Sequence, residues 1–345
     1  MGIQEIAHLA PDFSRSPGRR STIARWAQRR ICAAVAAFSL LGGAMAQELR
    51  LAVSRGPVSL PIYVAEAQGY FEREGVAVRT HECSSGRSCF QLLAIGQTDL
   101  ATAAELLVAL DSFTGSDVAI IATLNSSAHS IKLVARRGAG IKVPEDLRGK
   151  RIATVAGTSA QYFLDRWLVF HEIDPKQVDV VPLAPERLVG ALQRHEADAI
   201  AIWEPIASTA MAALAPDGLL LTSPRVYIQH FSLIASRQAI AQREADLIKL
   251  LRALQRAERF IAEQPAQAQQ ILKARLKGAI GLENLSEYDF RLTLDQSLIA
   301  TIDGQARWAM RIGLVPSSSG PGNLLRSIEP ALLRKAVPGA VSLVQ

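Results

Sequence analysis

Cysteine, aromatic residues and charge are all scarce in this chain. Three of its 345 residues are cysteine, 6% are aromatic and 20% are charged. So few cysteines exclude a fold framed by several disulfides. No apolar run approaches the roughly 18 residues that a membrane-spanning helix needs. There is no HExxH, no Gly-x-Ser-x-Gly elbow, no Walker loop and no Gly-x-Gly-x-x-Gly turn. His81, His129, His171, His195 and His230 are scattered. Only His129, beside Ser126 and Ser127, invites a nucleophile reading, and a serine nucleophile also needs an orienting acid and an oxyanion hole. What remains is 49% hydrophobic residues, a composition that buries a core.

The N-terminal segment has its own order. Arg25, Arg29 and Arg30 precede an uncharged, mostly apolar run at 31–41, then Gly42 and Gly43, then Ala44-Met45-Ala46 before Gln47. Positive charge, an apolar stretch of about 7–15 residues and a small-x-small cut site define a secretory signal. Residues 1–46 are therefore expected to be leader and signal peptide, and the mature chain to be periplasmic. Arg29-Arg30 hints at twin-arginine export, although its flanks fit poorly. Cys32 lies at the start of the apolar run and not at the cut. Six of the 38 basic and two of the 32 acidic residues lie in 1–46, leaving 32 and 30, a net charge near +2. No basic cluster interleaved with aromatics survives, so nucleic acid is not an expected partner. Cys83 and Cys89 survive, an even pair in an oxidising compartment and a possible disulfide. Cys-x5-Cys without a histidine pair is a poor zinc pattern.

From residue 49 onward short apolar strands alternate with helices, which predicts an α/β fold with mostly parallel sheet. The plan runs twice. In the first pass Ser84-Ser85-Gly86 opens a helix, and Asp99 leads into a small-residue strand at 100–103. In the second, Gly157-Thr158-Ser159 opens a helix, and Asp198 leads into a strand at 199–202. The reading is two lobes. Residues 47–130 form the first part of lobe 1 and 131–230 form lobe 2. Residues 231–345 return to lobe 1 and end in a helical tail, including helices at 286–294 and 302–312. Two crossings make a hinge, expected at 130–136 and 231–236.

Several segments carry a resemblance. Gly69-Tyr70-Phe71-Glu72-Arg73-Glu74-Gly75 follows a helix opened by Pro61. Leu93-Ala94-Ile95-Gly96-Gln97-Thr98-Asp99-Leu100-Ala101, Asp146-Leu147-Arg148-Gly149-Lys150 and Asp198-Ala199-Ile200-Ala201-Ile202-Trp203-Glu204-Pro205 come after it in order. Together, over about 48–261, they resemble the binding proteins for nitrate, sulfonates, taurine and thiamine-precursor pyrimidines. The resemblance implies a type II, two-lobed periplasmic-binding-protein fold and no cofactor. It also implies a small-molecule ligand and the membrane subunits of an ABC transporter as partner, with the chain acting as a monomer. Two alternatives share the fold: an enzyme of pyrimidine synthesis, and a ligand sensor feeding a receptor.

Candidate binding residues follow from position. Gly157, Thr158 and Ser159 lie between strand and helix, where free N–H groups and the positive helix end make an anion cup. Ser85, Gly86 and Arg87 are the counterpart in lobe 1, and an arginine forks onto carboxylate, sulfonate or phosphonate. Trp203 and Glu204 follow a strand at its carboxyl end, where ligands of open α/β sheets bind. Glu204 and Glu105 would repel an anion, which keeps zwitterions and nitrogen heterocycles open. Ser59 and Leu60 are placed on the rim by position.

Overall fold

The computed structural model describes residues 48–115, 117–222, 225–316 and 324–343. The expected signal segment lies outside them. Among the described residues no helix is long and apolar enough to cross a membrane.

Two five-stranded mixed sheets organise the chain, in the orders β2-β1-β3-β10-β4 and β7-β6-β8-β5-β9. The first sheet holds β1 (Leu49–Ser54), β2 (Val78–Cys83), β3 (Leu100–Ala104), β4 (Val118–Ser127) and β10 (Gln229–Ser236). The second holds β5 (Ile131–Arg136), β6 (Arg151–Thr154), β7 (Asp179–Pro182), β8 (Ala199–Trp203) and β9 (Gly218–Leu221). Helices α1 (Leu60–Ala67), α2 (Tyr70–Arg73), α3 (Gly86–Ala94) and α4 (Leu106–Asp111) belong to the first pass. The second pass supplies α5 (Ser159–Phe170), α6 (Pro185–Gln193) and α7 (Ile206–Leu214). After β10 come α8 (Arg237–Gln242), α9 (Glu244–Glu263), α10 (Pro265–Arg275), α11 (Gln296–Arg311) and α12 (Pro330–Ala336).

The sheets repeat each other down to single hydrogen bonds. Asp99, just before β3, accepts from the Arg50 backbone N–H at 2.8 Å and from its guanidinium at 2.7 Å. Asp198, just before β8, accepts from the Arg151 N–H at 3.0 Å and its guanidinium at 3.2 Å. Each aspartate thus ties the start of one parallel strand to its neighbour. The inner strands β1, β3 and β8 are nearly continuous apolar runs, as parallel strands covered on both faces must be, while the edge strands β2 and β7 are largely exposed. β3 and most of β8 are fully buried.

The tail returns to the first sheet. Leu247, Leu250, Leu251, Leu254, Ala257 and Ile261 recur at helical spacing along α9 and are buried, against α1, α2 and α12. The helix expected at 286–294 is not there. Residues Leu285–Glu287 form one 3₁₀ turn, and the chain then runs extended along the edge of β4. Thr123 bridges Thr293, and Ser126 bridges Asp289. The reason is period two: Tyr288, Phe290, Leu292 and Leu294 are buried while Asp289 and Arg291 are exposed. A segment patterned this way buries one face only as a strand, and it covers an otherwise bare sheet edge.

The crossings also differ from expectation. Residues 131–136 are β5, paired with β8 and β9. Residues 231–236 lie inside β10, paired with β3 and β4. A strand hydrogen-bonded on both sides is too constrained to absorb a rotation. Among the described residues, 128–130 and 225–228 lie between strands of the two sheets.

Cys83 ends β2 and Cys89 sits in the first turn of α3; both are buried and stand as free thiols in this structure, the pair for which a disulfide is possible. Cys89 hydrogen-bonds Cys83 and holds its thiol below the ordinary range, while burial pushes the Cys89 thiol well above it. Both belong to the hydrophobic core of the first lobe, where a free cysteine packs as a small hydrophobe.

Candidate ligand-binding cleft

A cleft of about 330 Å³ opens where the carboxyl ends of both sheets face each other. Strand ends supply Ser54, Arg55, Ala104, Val155, Trp203 and Glu204, and the crossings supply Ser130 and Gln229. Three helices point their N-terminal turns at it: α3 through Ser85, Gly86, Arg87 and Ser88, α5 through Thr158 and Ser159, and α6 through Pro185 and Glu186. The first N–H groups of a helix have no intrahelical partner, and the helix dipole is positive at that end. Val58, Leu107, Phe231 and Tyr288 make the apolar part of the lining.

Local sequence explains both cups. Ser85 is the N-cap of α3, extended in backbone, and its Oγ accepts from Ser88 N–H at 3.2 Å. Thr158 is the N-cap of α5. Its Oγ1 accepts from Ala160 N–H at 3.3 Å and donates to the Val155 carbonyl at 2.7 Å. Ser159 is therefore not the cap; its hydroxyl is free of that duty.

Seven expected residues come together on the cleft: Ser85, Gly86, Arg87, Thr158, Ser159, Trp203 and Glu204. Arg87 reaches across it. From α3 in the first lobe its guanidinium donates to the carbonyls of Ala156, at 3.1 Å, and Gly157 in the second. Burial pulls this guanidinium's pKa below its ordinary value, and its Nε is buried without a partner.

Four expected residues stand elsewhere. Gly157 has φ +62°, but its N–H donates to Gln161 Oε1 at 2.7 Å and its carbonyl accepts from Arg87. Neither group is left for a ligand. Ser59 is fully buried and donates to the Ser54 carbonyl at 2.6 Å, and Leu60 is fully buried at the start of α1. The chain turns inward at the helix start, leaving Val58 on the rim. Glu105 is fully buried away from the cleft. It accepts from Tyr227 Oη at 2.6 Å, Gln305 Nε2 at 2.7 Å and the His230 N–H at 3.0 Å, and burial raises its pKa.

Glu204 is on the cleft but committed. Its carboxylate pairs with Lys132 Nζ at 2.8 Å and accepts from the backbone and hydroxyl of Ser208 at 3.0 and 2.9 Å, which caps α7. Lys132 also pairs with Glu287 at 3.0 Å, from the tail. Burial alone would pull the Lys132 ammonium down, and the two carboxylates more than reverse that. Glu204 is thus ion-paired where the sequence reading had it free, although it shares the single Lys132 charge with Glu287.

Arg55, Ser130 and Gln229 were missed. Arg55 follows β1, and its place beyond a strand end was the available signal. Gln229 opens a strand that also holds His230 and Ser232, and it carried no local signal.

The chain belongs to the NMT1/THI5-like family, whose model matches residues 56–268. A taurine-binding periplasmic protein of Escherichia coli is 30% identical over 178 residues, 51% of this chain and 54% of that protein. A 4-amino-5-hydroxymethyl-2-methylpyrimidine phosphate synthase of Schizosaccharomyces pombe is 30% identical over 99 residues, 29% and 28% of the two chains. This chain spans about half the length of the first curated relatives it matches. In structure it is similar to the periplasmic aliphatic sulphonate-binding protein SsuA of Escherichia coli. That likeness has a TM-score of 0.70 at 18% identity, over 84% of this chain and 98% of that one. The fold is the two-lobed periplasmic-binding-protein fold.

Proposed function

We propose that this chain is a periplasmic solute-binding protein that encloses a small organic anion between its lobes and delivers it to the membrane subunits of an ABC importer. The observation that carries the reading is the convergence of helix N-termini with Arg55 and Arg87 on one interlobe cleft. Such a site offers donors and positive potential at its polar end. The apolar wall of Val58, Leu107, Phe231 and Trp203 suits a ligand with a carbon body rather than a bare inorganic oxyanion. The relative named as a taurine-binding protein and the structural neighbour named as an aliphatic sulphonate-binding protein support the same class. The nitrogen-heterocycle alternative rested on free carboxylates, and Glu204 is paired while Glu105 is sequestered.

Closure is a population shift: ligand contacts made by both lobes favour the closed arrangement, which the importer recognises. The segments 128–130 and 225–228 serve as the hinge. The test is a thermal-shift screen of the purified protein with taurine, ethanesulfonate, benzenesulfonate and nitrate. A binder at about 100 times its Kd adds about 2.7 kcal/mol of stability. Stabilisation by a sulfonate is expected, and no shift with any of the four would overturn the reading.

A further inference from the structure

Gln229 opens β10 where the second crossing enters the first sheet, and it is 5% exposed. Its amide joins three parts of the cleft. Oε1 accepts from the Ser130 hydroxyl, on the first crossing, at 3.0 Å. Nε2 donates to Ser159 Oγ, in the first turn of α5, at 2.8 Å.

A serine hydroxyl has one proton to give and lone pairs to receive with. Ser159 Oγ receives the amide N–H, so its own proton remains to be given, and Ser159 lines the cleft. Among the described residues it has no other hydrogen-bond partner. Its neighbours are differently engaged. Thr158 spends its proton on the Val155 carbonyl, and Ser85 is tied to Ser88.

The geometry points to Gln229 as the positioning residue that sets the proton polarity of the anion cup: by filling the acceptor side of Ser159 it turns the Ser159 O–H toward the ligand. Through Ser130 it also fixes that donor to both crossings, so the direction of the proton is set by the arrangement of the lobes. The inference rests on the anion reading above, and it makes the α5 end of the cleft a pure donor.

The experiment is calorimetric titration with ethanesulfonate and benzenesulfonate, both ionised throughout, at about pH 8 and about pH 5. The proteins are the wild type, Gln229→Glu and Gln229→Leu, each checked for folding by circular dichroism. At the higher pH the introduced carboxylate only accepts, draws the Ser159 proton to itself and adds a charge of the wrong sign. Binding should weaken by about a hundredfold. At the lower pH the introduced carboxyl, protonated readily because it is buried, donates as the amide did. Binding should return to within about fivefold of wild type. Gln229→Leu should lose about tenfold at both pH values, a loss without pH dependence. The wild type at both pH values accounts for the other groups near the site. These are Arg55, Arg87, Glu186 and Glu204 on the cleft, Lys132 beside Glu204, and His230, whose Nε2 faces Ser297 Oγ at 2.9 Å. Equal binding by Gln229→Glu at both pH values overturns the inference alone. Failure of the wild type to bind either sulfonate overturns the anion reading and this inference with it.

Discussion

At the scale of single residues, Arg87 does two things with one side chain. It brings positive charge to the cleft, and it closes hydrogen bonds between lobes onto Ala156 and Gly157. The fork geometry matters as much as the charge, since a lysine ammonium is a compact point donor. Arg87→Ala is expected to weaken sulfonate binding at least about tenfold, because a hydrogen bond to a charged group contributes about 1.5–3 kcal/mol. Arg87→Lys should restore little of it. Titration calorimetry checks both, and wild-type affinity in Arg87→Ala would refute the assignment. Charge and position made Arg87 readable in the sequence. Its reach could not be read, because the partners are carbonyls 69 and 70 residues away, in the turn that follows β6.

At the scale of elements, the cleft depends on where helices begin. Thr158 starts α5 with both halves of its hydroxyl. Thr158→Ala should destabilise the protein by about 1 kcal/mol, the usual cost of losing a cap. Urea denaturation measures this, and Thr158→Ser should recover most of the loss. Strand-then-helix order around Gly157-Thr158-Ser159 and Ser84-Ser85-Gly86 was legible because small and hydroxylated residues leave few other readings there. The extended segment from Tyr288 to Leu294 was misread, although its alternation was present in the letters. A mainly helical neighbourhood set the expectation, and the edge of β4 decided the outcome. Glu105 was misread for another reason. It follows β3 as a cleft acid should, but Tyr227 and Gln305, from distant parts of the chain, close over it.

At the scale of the whole molecule, buried and paired carboxylates pull stability in opposite directions with pH. Partial burial works to raise Asp99 and Asp198, but hydrogen bonds from Arg50 and Arg151 hold both below the usual range. Their contribution is present above an unfolded-state value of about 3.9 and is lost as pH falls through their folded values. Glu105 and Asp165 go the other way, raised chiefly by burial. They oppose folding at neutral pH, and protonating them on mild acidification relieves that. Stability measured by urea titration should therefore rise as pH falls from neutral through the raised folded values of Glu105 and Asp165, less the opposing loss as His171, held low by burial, takes up its proton, and fall steeply below about pH 4. Asp165→Asn, which keeps an oxygen for the 2.7 Å bond from Trp308 Nε1, should flatten the neutral part of that rise. A curve that only declines on acidification would contradict this balance.

The sheet orders also fix a sequence of events in time. The second sheet is drawn from one continuous stretch, β5 to β9. The first waits for β10, which inserts between β3 and β4 only after everything in the second lobe has been made. In a chain that emerges from its N-terminus, the second lobe has all of its strands while β3 and β4 still lack their shared neighbour. Unpaired strand edges at that stage invite pairing with other chains. The interval between the appearance of β4 and of β10, roughly a hundred residues of synthesis, is when this protein is most exposed to misassembly.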